Sequence, residues 1–422
     1  MKTQAGLAEA ITHRAERLEP ELVEFARRII AIPSVTGSEG DVITLIAETM
    51  RGFGFERVFV DRIGNAVGQI GTGRVKIMYD AHVDTVQAGD YAGWPCHPFE
   101  GKVDGGIIYG RGACDDKGAF AAILYGARIL KELAVANDFT LYVVGSVGEE
   151  NGEGLALSVL IDDEGIVPDY VVIAEASGLT LRRGHRGRAL LEMTFPGRGA
   201  HASTPELADN PIYKAAPVIT AVEGLHRRLA SGAGHEFLGR GSVAVTRLGA
   251  TSPSLNTVPA TATLYIDRRL TADETRQSIV AELAALPGAE EAAVSIVKVD
   301  EPSHTGYCKP CEEFFPPWFL PEGHPLVQAG AAAYRLAMGR EPRIERWDFS
   351  TNGTYTMGVK GIPTIGFGPG EARYCHTPLD QVPVWHLTEA TKFYAALPPV
   401  LLDGQPGEGE TEGRPCEDDA ER

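Results

Sequence analysis

The acids and histidines of this sequence are not spread evenly. His82 and Asp84, Asp115, the pair Glu149 and Glu150, Glu175, and His376 each stand at or just past the end of an apolar run, or at the start of a helical one. In α/β sheets that edge is where ligands bind, so these segments are expected to converge on one cleft. His82-Val83-Asp84 follows the run from Val75 to Ala81, and a step of two in extended chain sets both side chains on one side. A carboxylate so placed can accept the second imidazole N–H and turn the other nitrogen toward a metal. Taken alone, however, an H-x-D is most often structural. Asp115 and Asp116 open a helical stretch, where N-capping accounts for Asp116, while a carboxylate at such a turn, Asp115, can bridge two cations. Adjacent carboxylates at a buried edge repel unless cations neutralise them or one keeps a proton. One of Glu149 and Glu150 can therefore bind metal while the other takes a proton from water. Glu175 and His376 would complete the coordination, although either one alone would usually be incidental. Cys114 and Cys375, each beside a proposed ligand, read as packing residues.

The elements that must position these groups show in the apolar periodicity. Glu19 to Ala31, ended by Pro33, and Asp41 to Met50 have helical spacing. Strand-like runs follow at Val75 to Ala81, Phe139 to Val147, Tyr170 to Ala174 and Thr364 to Phe367, with helical Ala119 to Leu133 between the first two. That alternation predicts an α/β sheet. From about Gly187 the texture changes to short strands at Arg188 to Phe195, near Val243 and at Ala262 to Ile266, with helices near Ile212 to Leu229 and Asp273 to Leu286. A separate α+β module inserted in the first domain is expected. The boundaries read as 1–186 and 303–400 for the catalytic domain, 187–302 for the insert, and 401–422 for an acidic tail. Past Leu402 the tail is too poor in apolar residues to offset its ordering entropy and is expected to be disordered.

Composition narrows the partners. With 422 residues and a net charge of -18, the chain suits neither nucleic-acid backbones nor anionic membranes, which need clustered Lys and Arg. No run is long enough to span a bilayer, and the N-terminus lacks the pattern of a secretory signal. Six cysteines in such a chain read as reduced thiols of a cytoplasmic enzyme. Cys308 and Cys311 form a lone C-x-x-C without a second half-site, which argues against a structural zinc there.

Taken in order and spacing, His82-x-Asp84, Gly110-Arg111-Gly112 through Asp115, Glu149-Glu150-x-Gly152, Glu175 and His376 resemble the motifs of the M20 metallopeptidase family over about residues 20 to 400. That family includes acetylornithine deacetylase, succinyl-diaminopimelate desuccinylase, aminoacylase-1 and glutamate carboxypeptidases. The resemblance implies a mixed-sheet, zinc-peptidase-like α/β catalytic domain with an inserted ferredoxin-like α+β dimerisation and lid domain, acting as a homodimer. It implies two divalent cations per subunit, one on His82 and Glu175 and the other on Glu150 and His376, with Asp115 bridging. Asp84 would orient His82, and Glu149 would be the general base. Mixed imidazole and carboxylate ligands suit zinc, with cobalt or manganese as alternatives.

Gly199-Ala200-His201-Ala202-Ser203-Thr204-Pro205 resembles the family's dimerisation-domain motif, in which the histidine, here His201, reaches the partner's site to steady an oxyanion. Asn256-Thr257-Val258-Pro259 and Asp267-Arg268-Arg269 resemble lid segments, so that Asn256 and Arg269 would hold a substrate carboxylate and Arg268 would serve structure. Thr351-Asn352-Gly353 and Asp380 depart from the usual pattern and bear on substrate choice. Together with Thr305-Gly306 and Phe315-Pro316-x-Trp318, the Asn352 segment looks closest to an M20 subgroup linked to selenium metabolism. The implied reaction is hydrolysis of an amide in an N-acyl amino acid or short peptide with a free carboxylate. A carbamoyl or ureido substrate on the same metals, or a metal-dependent binding protein without turnover, are the rival readings. A serine α/β-hydrolase is excluded, because no G-x-S-x-G elbow occurs.

Overall fold

The computed structural model describes residues 4–135 and 139–403. A nine-stranded mixed sheet forms the larger layer. At its centre the strands Phe139–Ser146, Val75–His82, Tyr170–Ile173 and Thr364–Gly366 lie side by side and parallel. They are nearly continuous apolar runs because both faces are covered. Antiparallel neighbours close the flanks, Ala66–Ile70 on one side and Leu181–His185 on the other. The helices Gln4–Ile30, Lys117–Glu132, Pro325–Met338 and Val384–Asp403 pack on one another over this sheet. Lys117–Glu132 is buried along nearly its whole length.

The first helix starts well before Glu19 and runs through Pro20. A proline inside a helix costs about 3 kcal/mol. Here Ile11, Ala15, Leu18, Leu22, Phe25 and Ile29 form one buried stripe across it, and burying each large apolar side chain returns roughly 1.5–3 kcal/mol. At the other end, residues 401–403 belong to the last helix, with Leu401 buried, rather than to a tail. The rest of the expected tail lies outside the described residues. No helix among the described residues is long and apolar enough to cross a membrane.

The chain leaves the large sheet after His185 and enters a second one at Gly187. This smaller sheet is antiparallel, in the order Ser242–Thr251, Thr261–Leu270, Gly187–Pro196, Ala293–Ile296. Alternate residues of the central strands, among them Leu191, Met193, Phe195, Leu264 and Ile266, face the helices Pro211–Ser231 and Arg276–Ala284. Asn210 caps the first helix through the Ile212 amide, with Pro211 at its first position. Thr275 and Ser278 form a capping box on the second. Pairing with the smaller sheet continues past Pro302, since Phe314–Phe315 lies against Gly187–Pro196. Only after Pro316 and Pro317 does Trp318–Phe319 rejoin the large sheet. Neither proline can donate a ladder hydrogen bond, which suits the point where the chain changes sheets.

Candidate metal centre and active site

The four parallel central strands all point their carboxyl ends to one edge, and each delivers a group there. His82 ends its own strand, Glu149 and Glu150 follow Phe139–Ser146, Glu175 follows Tyr170–Ile173, and the loop after Thr364–Gly366 leads to His376. That loop approaches closely: a Cβ at Gly368 would lie 2.3 Å from the Glu175 carbonyl oxygen, so only glycine fits. Asp115 enters from the turn before Lys117–Glu132.

Asp115 sits between the two histidines. Its Oδ1 is 2.9 Å from His82 Nε2 and its Oδ2 is 3.2 Å from His376 Nε2. Glu175 Oε1 is 3.4 Å from the same His82 nitrogen, and Glu150 Oε2 is 2.9 Å from the same His376 nitrogen. Each histidine thus shares Asp115 and has a carboxylate of its own. His82, Asp115 and Glu150 offer ligand atoms within 4.8 Å of one another, as do His82, Asp116 and Glu175.

Asp116 corrects the capping expectation. It stands at the N-cap position but makes no capping hydrogen bond. Both of its carboxylate oxygens are buried without a hydrogen-bond partner, next to His82 and Glu175.

The electrostatics report the same excess of negative charge. Hydrogen bonds from His376 and His82 outweigh the burial of Asp115 and hold its carboxyl well below the usual range. Bonds from Asp115 and Glu150 push the His376 imidazole up to about 10. Burial, with Asp115 close by, raises Glu150 to about 7. Burial, joined by the nearby charges of Glu175, Glu153 and Glu150, raises Glu149 well above the usual carboxylate range although His82 opposes it. An orphaned buried carboxylate and two imidazoles among four acids form a donor set that fits divalent cations of borderline softness.

Asp84 differs in detail from its expected role. His82 Nδ1 is 3.0 Å from the Asp84 main-chain carbonyl and 3.4 Å from its carboxylate. The carboxylate accepts the amides of Glu149 and Glu150, both at 3.1 Å, and the Thr36 hydroxyl at 2.7 Å. It therefore orients the Glu149-Glu150 turn as much as it orients His82. Asp380 is likewise a scaffold group. It accepts from Arg111 at 3.0 Å and from the amides of Gly112 and Cys114 at 2.8 and 2.7 Å, and so holds the turn that carries Asp115. Asn352 is buried away from the cleft, tying Asp80, Ser146 and the Gly154 amide together. A direct contact of Asn352 or Asp380 with substrate is not what this arrangement provides.

A cavity of roughly 550 Å³ opens over the centre, lined by Asp115, Glu149, Glu150, Glu175 and His376 together with Arg269. Its remaining wall includes Asp267, Phe349 and Ser350, together with Glu153 and Arg188, which the sequence offers no reason to single out. Arg188, from the smaller sheet, donates to Glu153 at 2.8 Å and to Glu313 at 2.6 Å and so ties that sheet to the loop that follows Glu149 and Glu150 beside the cavity. Arg269 donates through Nε to Asp267 at 2.8 Å. Arg268 is buried against Glu274 and Glu282, as a structural residue would be. His201 and Asn256 lie elsewhere. They are exposed on a two-strand turn, with Asn256 Nδ2 3.5 Å from His201 Nε2, and neither lines the cavity.

Residues 78–398 match the family described as Peptidase family M20/M25/M40. The uncharacterized protein YgeY of Escherichia coli (strain K12) is 38% identical over 390 residues, spanning 92% of this chain and 96% of that protein. A succinyl-diaminopimelate desuccinylase of Gluconacetobacter diazotrophicus is 28% identical, spanning 88% and 95%. Among solved structures, the di-peptidase Dug1p from Saccharomyces cerevisiae superposes with a TM-score of 0.72 at 16% identity, covering 96% of this chain and 100% of that one. At that identity the likeness speaks for the fold.

Proposed function

Because this chain belongs to peptidase family M20/M25/M40, we propose that it hydrolyses the amide bond of an N-acyl amino acid or short peptide bearing a free carboxylate. His82 and Glu175 would hold one divalent cation and His376 and Glu150 the other, with Asp115 shared and zinc the preferred metal. Bound there, the cations would polarise the scissile carbonyl and acidify water.

The chain's own groups supply the rest. Glu149 is buried, drawn toward its protonated form and free of a fixed partner. It can accept the proton of an attacking water and return it to the leaving amine. Asp84 accepts from the Glu149 amide and so holds the backbone that carries this carboxylate. Arg269, in the cavity wall, would hold the substrate's carboxylate, and His201 and Asn256, brought over by a second subunit, would steady the oxyanion and the substrate carboxylate. Likeness to a succinyl-diaminopimelate desuccinylase supports an acyl-amino-acid substrate.

The observation that carries this reading is that the two oxygens of Asp115 face two different histidines beside an uncommitted Glu149. A metal-reconstituted panel of N-acetyl, N-succinyl and N-carbamoyl amino acids and dipeptides, read by amine release, tests it. Amine with a carboxylic acid is the expected product. Ammonia with carbon dioxide from the N-carbamoyl members alone would shift the assignment to ureido chemistry. Full metal occupancy with no turnover of any member would defeat it.

A further inference from the structure

The metal centre has two sulfur atoms in its wall that the proposed reaction does not use. Cys114 immediately precedes Asp115 and Cys375 immediately precedes His376. Their Sγ atoms are 3.7 Å apart, although 261 residues separate them in sequence. Cys375 lines the cavity, whereas Cys114 is fully buried behind it. We infer that this pair is an oxidative modification site, a reversible disulfide between Cys114 and Cys375 that disables the metal centre. The inference rests on the metal-centre reading above.

Reach and order follow from burial. Hydrogen peroxide is small enough to enter the cavity and meets Cys375 first. The Cys375 sulfur takes one peroxide oxygen to become a sulfenic acid, and the other oxygen leaves as water. The Cys114 sulfur then attacks the Cys375 sulfur, and its hydroxyl leaves as a second water. Two thiols lose two electrons and two protons, and one peroxide becomes two waters. A dithiol reductant reverses the bond by exchange.

The consequence for the metals is geometric. The sulfurs must close by roughly 1.7 Å to reach the ~2.05 Å bond length, whereas metal sites tolerate deviations of only about 0.2 Å in ligand distance. Cys114 is the anchored partner. Its amide is bound to Asp380 at 2.7 Å, and Gly370 packs so tightly on it that a Cβ there would lie 2.7 Å from its sulfur. The movement therefore falls on Cys375, and so on His376, the next residue, which already holds a left-handed φ of 60° that L-residues rarely adopt. His376 would be drawn from Glu150 and Asp115 together.

Zinc-loaded protein is treated with hydrogen peroxide, blocked with an alkylating reagent, digested and mapped by mass spectrometry, while zinc retained after dialysis is measured on the same samples. The expected result is one linked pair joining the Cys114 and Cys375 peptides. Retained zinc and amine release should fall by at least about tenfold, the range seen when groups supporting metal ligands are lost, and dithiothreitol should restore both. Cys114→Ala should bind zinc as the parent does when reduced, yet form no link and resist peroxide.

If peroxide modifies the exposed Cys308 while Cys114 and Cys375 are still alkylated separately, the inference fails. A linked pair that keeps its zinc defeats it too. Peptide map and zinc content need no substrate, so a protein that links and loses zinc but turns over nothing would refute the hydrolytic reading and leave this one standing.

Discussion

Glu149 and Glu150 are adjacent in sequence, yet their surroundings divide them. Glu150 lies against His376 and beside Asp115, and its pKa of about 7 reflects burial set against that histidine. Glu149 has no hydrogen-bonded histidine of its own, and burial together with the charges of Glu175, Glu153 and Glu150 pushes its carboxyl well up against the pull of His82. In the proposed reaction this makes Glu149→Gln a clean change, since the glutamine fills the same space but cannot take a proton. Bound metal measured by atomic absorption should stay at the parental stoichiometry, while kcat falls by roughly 10²–10⁴, the usual contribution of a general base. Loss of metal in step with activity would instead make Glu149 a ligand. At this scale the candidate ligands stood out because each follows an apolar run or, for Asp115, opens a helical one, a one-dimensional signal. The orphaned carboxylate of Asp116 did not, because an acid at a helix start reads as a cap until its missing capping bond is seen. Nor did the Arg188 clamp on Glu153 and Glu313, whose three members come from different segments and meet only in the folded chain.

The elements explain why so many separate signals share one place. Four parallel strands have only one carboxyl edge, so groups placed just past their ends must meet there. The loops then need anchors, which Asp84 and Asp380 supply through backbone amides. Strand and helix centres were readable from periodicity, whereas the start of the first helix and the return of the chain at Pro316 and Pro317 depended on burial against distant partners. His185, at the end of the strand where the chain leaves the large sheet, shows an element held by a neutral histidine. It faces the Trp318 ring, accepts the Thr351 amide at 3.2 Å and lies 2.8 Å from the Arg186 carbonyl, with no acid in contact. Burial lowers its pKa from 6.5 to about 4. The unfolded chain therefore binds this proton first as pH falls, and stability is lost from about pH 6.5 down to about 4. The single group should remove about 2 kcal/mol between about pH 7 and 5. Urea unfolding of the parent and of His185→Gln at the two pH values tests this. The variant should start lower and lose about 2 kcal/mol less, and equal losses would show that His185 is not the group responsible.

At the scale of the whole molecule, the question is whether His201 and Asn256, proposed above as site residues, serve a cavity they do not line. Within one chain they stand on an exposed turn of the inserted module, with His201 held only by Ser203 at 2.8 Å and by the distant Asn256 amide. Exposed Leu207, Tyr213 and Leu255 lie near them in sequence on the same module. Two arrangements could complete the site: the module of one subunit reaching over the partner's cavity, or closure of each chain on itself. They differ in what a mixed dimer does. Glu149→Ala removes the proposed base from a chain but leaves its His201 intact, and His201→Ala does the reverse. If His201 acts across an isologous interface, a dimer with one chain of each kind has one site with neither defect. Random reassortment of equal amounts should then recover about a quarter of parental activity from two nearly inactive parents. If each chain closes on itself, every site keeps one defect and the mixture stays as inactive as its components. Native mass spectrometry of a tagged and an untagged parent must show mixed dimers forming, because an inactive mixture that never exchanged would not distinguish the two arrangements.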